Sequence, residues 1–379
     1  MLKQKQNLAA IFIIIIVNLL FVIKYSFVYS TKPYLIISGY VIAFPVFLIL
    51  LFGYFNINSI KNIGRKKITW AVVVFNLLVL IIVAILPEMY GRIGRLPAIN
   101  EWLSLFLSKK FPYYAFTTPS GFPMLFFFAL PFYITGLLKF FVLLGVFIFS
   151  FFALKTYSST KELVLQFTLL LTSPLFFYDL LVKSELFFNM MLAILLFYLI
   201  LRYSSKSSKK QIIFFGILAG LVLSTRSTVA VIYILFFVPF FRKEFPNLVL
   251  FGFITLAVFL LTLLPFVIWD LNGFIQKGPF AVQSFLSYLP KYIIILFMVA
   301  VFFISVKIYG LNTFFFQTGF LMFLIVIFSY FIKVAEFGWY VALVQDKIDL
   351  SYLDFCLPFL ILSVKEKPAY NLILTKIRN

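Results

Sequence analysis

The sequence predicts an all-α protein that crosses a membrane many times, and three observations carry this prediction. Hydrophobic residues make up 64% of the 379 residues, charged residues only 12%, and the mean hydropathy is +1.12. This is more apolar surface than one water-soluble core could enclose. Runs such as Leu8 to Ile23 and Leu248 to Trp269 approach or exceed the roughly 20 residues that a helix needs to cross a bilayer. Stretches such as Ile13 to Ile16 are apolar on every side, which excludes the alternating pattern of a membrane β-barrel.

Polar interruptions divide the chain into about twelve predicted spans. Their bounds are 8–24, 34–55, 70–86, 134–154, 163–177, 185–201, 211–224, 228–241, 248–269, 291–307, 312–332 and 351–364. The stretch 122–133 contains Pro123 and Pro131, and it is interpreted as a half-helix that dips into the membrane. The whole chain, 1–379, is therefore predicted to be a single polytopic membrane domain, with no soluble domain.

The charged residues predict the orientation. With the N-terminus in the cytoplasm, more than half of the 32 basic residues lie on the cytoplasmic side, as the positive-inside rule requires. Among the 12 acidic residues, only Glu162, Glu244 and Glu366 lie on that side. Because acidic residues contribute little to topology, their enrichment outside indicates a working surface on the extracytoplasmic face.

Four predicted outer segments are long enough to build such a surface, namely 87–121, 178–184, 270–290 and 333–350. The first is a large extracytoplasmic loop. Within it, Asn100 to Phe111 places Trp102, Leu105 and Phe106 on one helical face, a pattern typical of a helix that lies in the membrane interface.

Composition also restricts the chemistry. The chain has no histidine, which removes histidine-based acid–base catalysis and nearly all zinc chemistry. Its single cysteine, Cys356, cannot form an internal disulfide and is interpreted as a small buried side chain. The net charge of +20 does not indicate nucleic-acid binding, because the basic residues punctuate apolar runs and do not gather on a soluble face.

One outer segment resembles a known enzyme class. From Phe111 the chain reads FPYYAFTTPSGFPMLFFFALPFYITG, and an acidic residue precedes it by about ten positions. This arrangement resembles the first outer loop of the GT-C class of membrane glycosyltransferases. The features that match are Glu101, Pro112, Tyr113, Pro123 and Pro131.

The resemblance extends over roughly residues 87–290, through Ser173 to Arg202, Gly216 to Lys243 and Leu264 to Phe280. It is closest in pattern to the polyprenyl-phosphate-sugar-dependent branch related to mannosyltransferases. The chain departs from the class by having Glu where many relatives have Asp, by lacking a paired D-x-D, and by having two extra leading spans. The resemblance implies a cell-envelope enzyme of a bacterial cytoplasmic membrane. Its partners would be a polyprenyl-phosphate-linked sugar donor, a glycan, lipid or protein acceptor, and membrane lipids.

A transferase of this kind needs a base for the acceptor hydroxyl and cations for the leaving phosphate. Glu101 is the predicted catalytic base, although it would also favour the positive N-terminal end of its helix. Arg226 is the first candidate for the phosphate, and snorkelling to the headgroups is the alternative. The further substrate-binding candidates are Lys183, Lys277, Glu185, Asp270 and Tyr113. Glu185 and Asp270 could bind sugar hydroxyls or a divalent cation, or could serve as helix caps, and Lys183 could pair with Asp179.

Two other functions share much of this pattern. A transporter or flippase of lipid-linked sugars would have a similar span count, but more often shows internal repeats, and none is evident here. An oligosaccharide polymerase or ligase would rely on outer arginines and commonly a histidine. The predicted outer arginines are Arg92, Arg95 and Arg226 alone, which favours the transferase.

Overall fold

A computed structural model describes residues 2–55, 64–86, 95–157, 159–203, 208–345 and 347–365. Residues 87–94, the first part of the predicted outer loop and the location of Arg92, lie outside the described residues. The helices are α1 (Leu2–Tyr29), α2 (Pro33–Phe55), α3 (Arg65–Ile85), α4 (Arg95–Leu107), α5 (Pro123–Ile134), α6 (Leu143–Thr156), α7 (Thr160–Leu171), α8 (Pro174–Val182), α9 (Leu186–Tyr203), α10 (Lys209–Leu223), α11 (Val229–Phe240), α12 (Phe245–Trp269), α13 (Leu271–Lys277), α14 (Pro279–Ser287), α15 (Lys291–Ser305), α16 (Leu311–Phe337), α17 (Trp339–Leu343) and α18 (Leu357–Ser363).

The described residues form helices and no strands, so the predicted all-α membrane protein is confirmed at that level. Seven helices there are long and apolar enough to cross a membrane, and the number rises to nine if two bent pairs each count as one span. One bent pair is α7 with α8, at 61°, and the other is Leu271–Ser287 with α15, at 87°. The predicted count of twelve is not confirmed.

The remaining predicted spans lie on helices shorter than the usual crossing length. α10 has 15 residues, α11 has 12 and α18, within the predicted span 351–364, has 7, against the roughly 20 that a straight crossing needs. The stretch predicted as a half-helix is α5, a 12-residue helix that begins at Pro123. Proline suits a first helical position because its missing N–H would be unpaired there in any case. The location of α5 within a membrane stays a prediction.

The chain divides into two compact units, each made of segments distant in sequence. The first comprises Met1–Val79, Phe149–Asp179 and Phe315–Tyr370, and the second comprises Leu80–Ile148, Leu180–Phe314 and Asn371–Asn379. The single polytopic domain expected from the sequence stays a prediction.

Polar contacts between distant segments hold the first unit together. The Ser173 hydroxyl, at the break between α7 and α8, donates to Asn18 Oδ1 on α1 at 2.8 Å. Near the described C-terminal end, Asn7 Nδ2 donates to the Lys365 carbonyl, and Tyr157 donates its hydroxyl to the Leu362 carbonyl at 2.7 Å. Paired polar groups of this kind let apolar helices carry a few buried polar side chains without a large desolvation cost.

Small residues set a close helix contact in the second unit. Gly216 and Gly220 are four positions apart on α10 and therefore lie on one face. An added Cβ at Gly220 would lie 2.6 Å from Val258 Cβ and 2.7 Å from the Thr255 carbonyl oxygen, so α12 fits only against glycine. The Thr255 hydroxyl donates to the Gly216 carbonyl at 3.3 Å. This is the close approach of small-residue faces that replaces a hydrophobic driving force between membrane helices.

An aromatic cluster packs α4 against α5 and α12. The Trp102 ring is fully buried and stacks on Phe126, with centroids 4.1 Å apart and planes inclined by 7°. Phe266 of α12 lies on the same tryptophan at 5.6 Å. The helix predicted at Asn100 to Phe111 instead runs from Arg95 to Leu107, because Lys109 adopts a left-handed φ of 57° and Pro112 follows. With Trp102 anchored inward, the opposite face of α4 is left for other contacts.

Candidate functional site

The candidate site lies in the second unit and begins with Glu101 on α4. Its carboxylate accepts three hydrogen bonds from one short stretch of the loop that follows. Oε1 accepts from the Phe116 backbone N–H at 2.8 Å, and Oε2 accepts from the Thr117 backbone N–H at 3.0 Å and the Thr117 hydroxyl at 2.7 Å. An ionised carboxylate has about four lone-pair positions, so one position on Oε1 remains for a further donor.

These bonds keep Glu101 ionised. Partial burial raises the pKa of Glu101, but the hydrogen bonds from Thr117 and Phe116 outweigh it and hold the pKa below the usual 4.5. Glu101 is therefore a negatively charged acceptor near neutral pH, with a proton affinity lower than that of an ordinary glutamate.

Two helix ends fix the other side of this loop. The backbone N–H groups of Phe122 and Met124, at the start of α5, donate to the carbonyls of Thr225 and Ser224, just after the end of α10. The distances are 3.2 and 3.0 Å, respectively. Helix termini leave such donors and acceptors without intrahelical partners, and here the two ends pair with each other. The pairing brings the turn that carries Arg226 beside the loop that Glu101 holds.

Glu185 and two arginines form a buried ion cluster at this junction. Glu185 Oε1 lies 2.5 Å from Arg226 Nη2 and 3.5 Å from Arg95 Nη1. The side chains of Glu185 and Arg226 are each 3% exposed, and that of Arg95 is 13% exposed. Arg226 Nη1 also donates to the Ser120 hydroxyl at 3.2 Å. Arg226 is thus buried and ion-paired, which contradicts the alternative in which it snorkels to lipid headgroups.

The cluster has an excess of positive charge. Burial raises the pKa of Glu185, but the charges of Arg95 and Arg226 outweigh it and hold the pKa below the usual 4.5. One ionised carboxylate between two guanidinium groups leaves one unit of positive charge in a poorly solvated place. An anionic group, above all a phosphate, would be favoured beside it.

Gln283 on α14 links the cluster to the surface. Its Nε2 donates to the Ser120 carbonyl at 2.6 Å, and its Oε1 accepts from the hydroxyl of Ser227, which is exposed. A continuous set of polar contacts therefore runs from buried Glu185 through Arg226 and Ser120 to the surface of the second unit.

A second group of candidate residues lies around Asp270. Its Oδ1 accepts from the Gly273 N–H at 2.8 Å, so Asp270 caps α13, as one interpretation of the sequence expected. Its Oδ2 accepts from the Tyr114 hydroxyl at 2.6 Å, and Lys277 Nζ lies 5.2 Å from the centre of the Tyr114 ring. The bonds from Tyr114 and Gly273 lower the pKa of Asp270, and the same Asp270 bond raises the pKa of Tyr114.

The other predicted site residues are buried. Tyr113 belongs to the aromatic cluster, and its hydroxyl donates to the Gly121 carbonyl at 3.3 Å. Lys183 is 3% exposed and has a left-handed φ of 52°. The contacts described for Tyr113 are those of a packing residue, and a substrate-binding role for either residue stays a prediction.

The described residues contain no group of three or more His, Cys, Asp and Glu side chains that could hold a metal ion. Glu185 was one predicted ligand for a divalent cation, but its bonded oxygen faces two arginines, whose charge opposes a cation. Asp270 was the other, and both of its oxygens accept hydrogen bonds from the protein.

Sequence reasoning named Glu101, Glu185 and Arg226, but it missed several of their partners. Arg95 was noted only as an outer arginine, and Ser120, Thr117, Gln283 and Tyr114 were not singled out. One signal could have found two of them, because the run TTPSG is polar within strongly apolar surroundings.

The comparisons with known proteins place no family name on this chain. The sequence matches no protein-family model, and no curated protein or solved structure is significantly similar to it.

Proposed function

We propose that this membrane protein is a glycosyltransferase that moves a sugar from a polyprenyl-phosphate donor to an acceptor at the extracytoplasmic face. The observation that carries the proposal is the pairing of an ionised acid with a buried arginine cluster. Glu101 and Arg95 lie on the same helix, and residues 116–120 connect the acid directly to Arg226. The resemblance of residues 87–290 to GT-C enzymes, in the mannosyltransferase-like branch, supports the same assignment.

The reaction uses these groups in complementary roles. The acceptor hydroxyl donates its proton to Glu101 as its oxygen forms a bond to the anomeric carbon of the sugar. The bond from that carbon to the phosphate oxygen breaks, and its electron pair leaves with the polyprenyl phosphate. A positioned carboxylate base typically contributes 10²–10⁴-fold in rate. The remaining lone-pair position on Glu101 Oε1 can accept that proton.

The arginine cluster suits the leaving group. The phosphate gains negative charge as the bond to the sugar breaks, so cations that are already fixed stabilise the transition state more than the ground state. Arg95 is the more exposed of the two arginines, and it would meet the phosphate first. Arg226 is held by Glu185 and Ser120, so its positive charge would stay in a fixed position near the phosphate.

The membrane setting supports a lipid-borne donor. A sugar on a polyprenyl phosphate is already dissolved in the bilayer, so its reacting carbon lies at the interface where helices begin and end. Glu101 is on a helix outside the long spans, and Glu185 directly precedes the span of α9.

Purified protein in sealed proteoliposomes tests the proposal. The donor is a polyprenyl phosphate carrying radiolabelled mannose, glucose or galactose, and the acceptors are a lipid, a glycan and a peptide. Transfer of label, with release of sugar-free polyprenyl phosphate, is the expected result. Movement of intact donor across the bilayer, without cleavage of the sugar–phosphate bond, would contradict the proposal in favour of a transporter.

A further inference from the structure

Three side chains at the start of α9 and beside it carry buried polar atoms that the protein leaves without hydrogen bonds. Among the described residues, Glu185 Oε2, Arg226 Nε and both side-chain polar atoms of Asn189 have no hydrogen-bond partner. Glu185 and Asn189 are 2% and 0% exposed, and Arg226 is 3% exposed. Buried polar groups are nearly always paired, so four unpaired atoms in three neighbouring residues require an explanation.

The three residues lie close together. Asn189 follows Glu185 by four positions, its backbone N–H donates to the Glu185 carbonyl at 3.0 Å, and the two side chains therefore emerge on one face of the helix. Arg226 reaches the same place through its 2.5 Å contact with Glu185. Close by, the backbone of Phe188 packs on Gly145 so tightly that a Cβ added at Gly145 would lie 2.9 Å from it, which holds the start of α9 in place.

The unpaired atoms define what they can bind. Glu185 Oε2 and Asn189 Oδ1 accept hydrogen bonds, whereas Asn189 Nδ2 and Arg226 Nε donate them. A hydroxyl group both donates and accepts, so two adjacent hydroxyls on a ring complement this set. A phosphate offers acceptors alone and would leave Glu185 Oε2 and Asn189 Oδ1 unpaired, and a metal cation is repelled by the two arginines. A chain of hydrogen bonds from Arg226 through Ser120 and Gln283 ends at exposed Ser227, so the three residues lie within a few side chains of the surface.

We infer that Glu185, Asn189 and Arg226 Nε form a subsite for vicinal hydroxyls of a sugar. The identity of that sugar as the transferred group of the donor rests on the function proposed above. Asn189 does not stand out in the sequence, because a lone asparagine at the start of an apolar span is ordinarily a packing or capping residue.

Asn189→Leu tests the subsite, because leucine has nearly the shape of asparagine without its polar atoms. Replacing an unpaired buried polar group by an apolar one of similar shape is neutral or stabilising. The variant should therefore melt at the same or a higher temperature than wild type while losing sugar recognition. Asn76→Leu is the matched control, since Asn76 donates to Ser150 at 2.9 Å and to the Val72 carbonyl. It should melt lower and keep sugar recognition.

Binding is measured on the full chain in detergent with two kinds of probe. The first is a short-chain prenyl phosphate, bare or carrying mannose, glucose or galactose. Wild type should prefer one sugar-bearing form over the bare phosphate by about tenfold or more, and Asn189→Leu should lose that preference while its affinity for the bare phosphate is unchanged. The second probe is the set of three methyl glycosides, followed by saturation-transfer NMR, which needs no phosphate.

The outcomes separate the two proposals. Glycoside signals that are present in wild type and absent in Asn189→Leu support the subsite. If these signals are seen but no prenyl phosphate binds, the proposed lipid-phosphate donor is overturned and the subsite stands. An Asn189→Leu variant that keeps its sugar preference, or a wild type that neither shows a preference nor binds a glycoside, overturns the subsite. If Asn189→Leu does not fold, leucine does not fit the space that asparagine occupies, and Asn189→Ser replaces it as the test. The shorter serine side chain cannot reach the sugar, so this variant should also lose the sugar preference, and a retained preference would overturn the subsite.

Discussion

At the scale of single residues, one hydroxyl contributes most among the hydrogen bonds that keep Glu101 ionised. The Thr117 side chain donates to Oε2 at 2.7 Å and is the largest of the contributions that lower the pKa of Glu101. A base must be ionised to work, so the lowered pKa should keep activity nearly constant from neutral pH down to below the usual glutamate value of 4.5.

Thr117→Val removes this hydroxyl and keeps the backbone N–H. The pKa of Glu101 should rise, and the acidic limb of the pH–rate profile for sugar transfer should move to higher pH. Ser104→Ala, an exposed position on the same helix, is the control and should leave the profile unchanged. If Thr117→Val left the acidic limb at the same pH as in wild type, the limb would report the titration of a group other than Glu101.

Lys365 offers a second residue whose protonation is coupled to structure. Burial lowers the pKa of Lys365 from the usual 10.5 to about 8, against the opposing effect of Glu162, and Lys365 Nζ lies 4.5 Å from the centre of the Tyr157 ring. Between those two values the unfolded chain holds a proton that the folded chain does not. Folding stability should therefore rise as the pH increases through this range.

The lowered pKa predicts that the free energy of unfolding increases by up to about 3 kcal/mol over the whole range. Thermal unfolding in detergent between pH 7.5 and 9.5 would measure the lower part of this increase. In Lys365→Met the backbone contacts with Asn7 remain possible but the titration is gone. Its melting temperature should therefore change less with pH over that range than that of wild type. A variant with the same slope as wild type would show that Lys365 is not the group responsible.

At the scale of helices, the contact between α10 and α12 depends on the absence of a side chain. Gly220→Ala would place a methyl group 2.6 Å from Val258 Cβ and 2.7 Å from the Thr255 carbonyl, so the helices must separate. Overpacking of this kind typically costs about 1–3 kcal/mol. Because α10 leads into the turn that holds Arg226, sugar transfer should fall as well.

Gly252→Ala is the matched control, since an added Cβ on α12 at that position has no neighbour within 4 Å among the described residues. It should be neutral or slightly stabilising, because alanine favours a helix more than glycine does. Equal melting temperatures for the two alanine variants would contradict the close contact.

The helices themselves followed from the sequence, but their pairing did not. Apolar runs predict helices because lipid leaves the backbone no other partner, and α9 and α12 were expected within a few residues of their bounds. Charged residues in such a chain are conspicuous, which is how Glu185 and Arg226 were found. Their contact spans 41 positions and that of Glu185 with Arg95 spans 90, so only the tertiary structure reveals them.

At the scale of the whole molecule, the number of spans decides where the termini lie. Twelve crossings place both termini on the same side, whereas seven or nine place them on opposite sides. Counting α10, α11 and the short apolar stretch Leu350–Ser363 as crossings raises nine to the predicted twelve. α10 packs closely along the 25-residue α12, and α11 begins five residues after α10 ends, which favours these additional crossings.

Reporters fused to the two ends should therefore both lie in the cytoplasm. A protease-protection or cysteine-labelling assay in intact cells would record this. An N-terminal reporter inside with a C-terminal reporter outside would contradict twelve spans, and both outside would reverse the predicted face of the candidate site.

The central claim is that the protein cleaves a sugar from its lipid carrier with a carboxylate as base, and the rate of release of sugar-free polyprenyl phosphate measures it most directly. Glu101→Gln keeps the shape of the side chain and one of its two oxygen acceptors, so it can accept from Phe116 or from Thr117 but not from both. It removes the proton acceptor, so the rate should fall about 100-fold or more while the donor still binds. Glu244→Gln, which changes a carboxylate on the predicted cytoplasmic side, should keep the wild-type rate. A wild-type rate in Glu101→Gln would contradict the account.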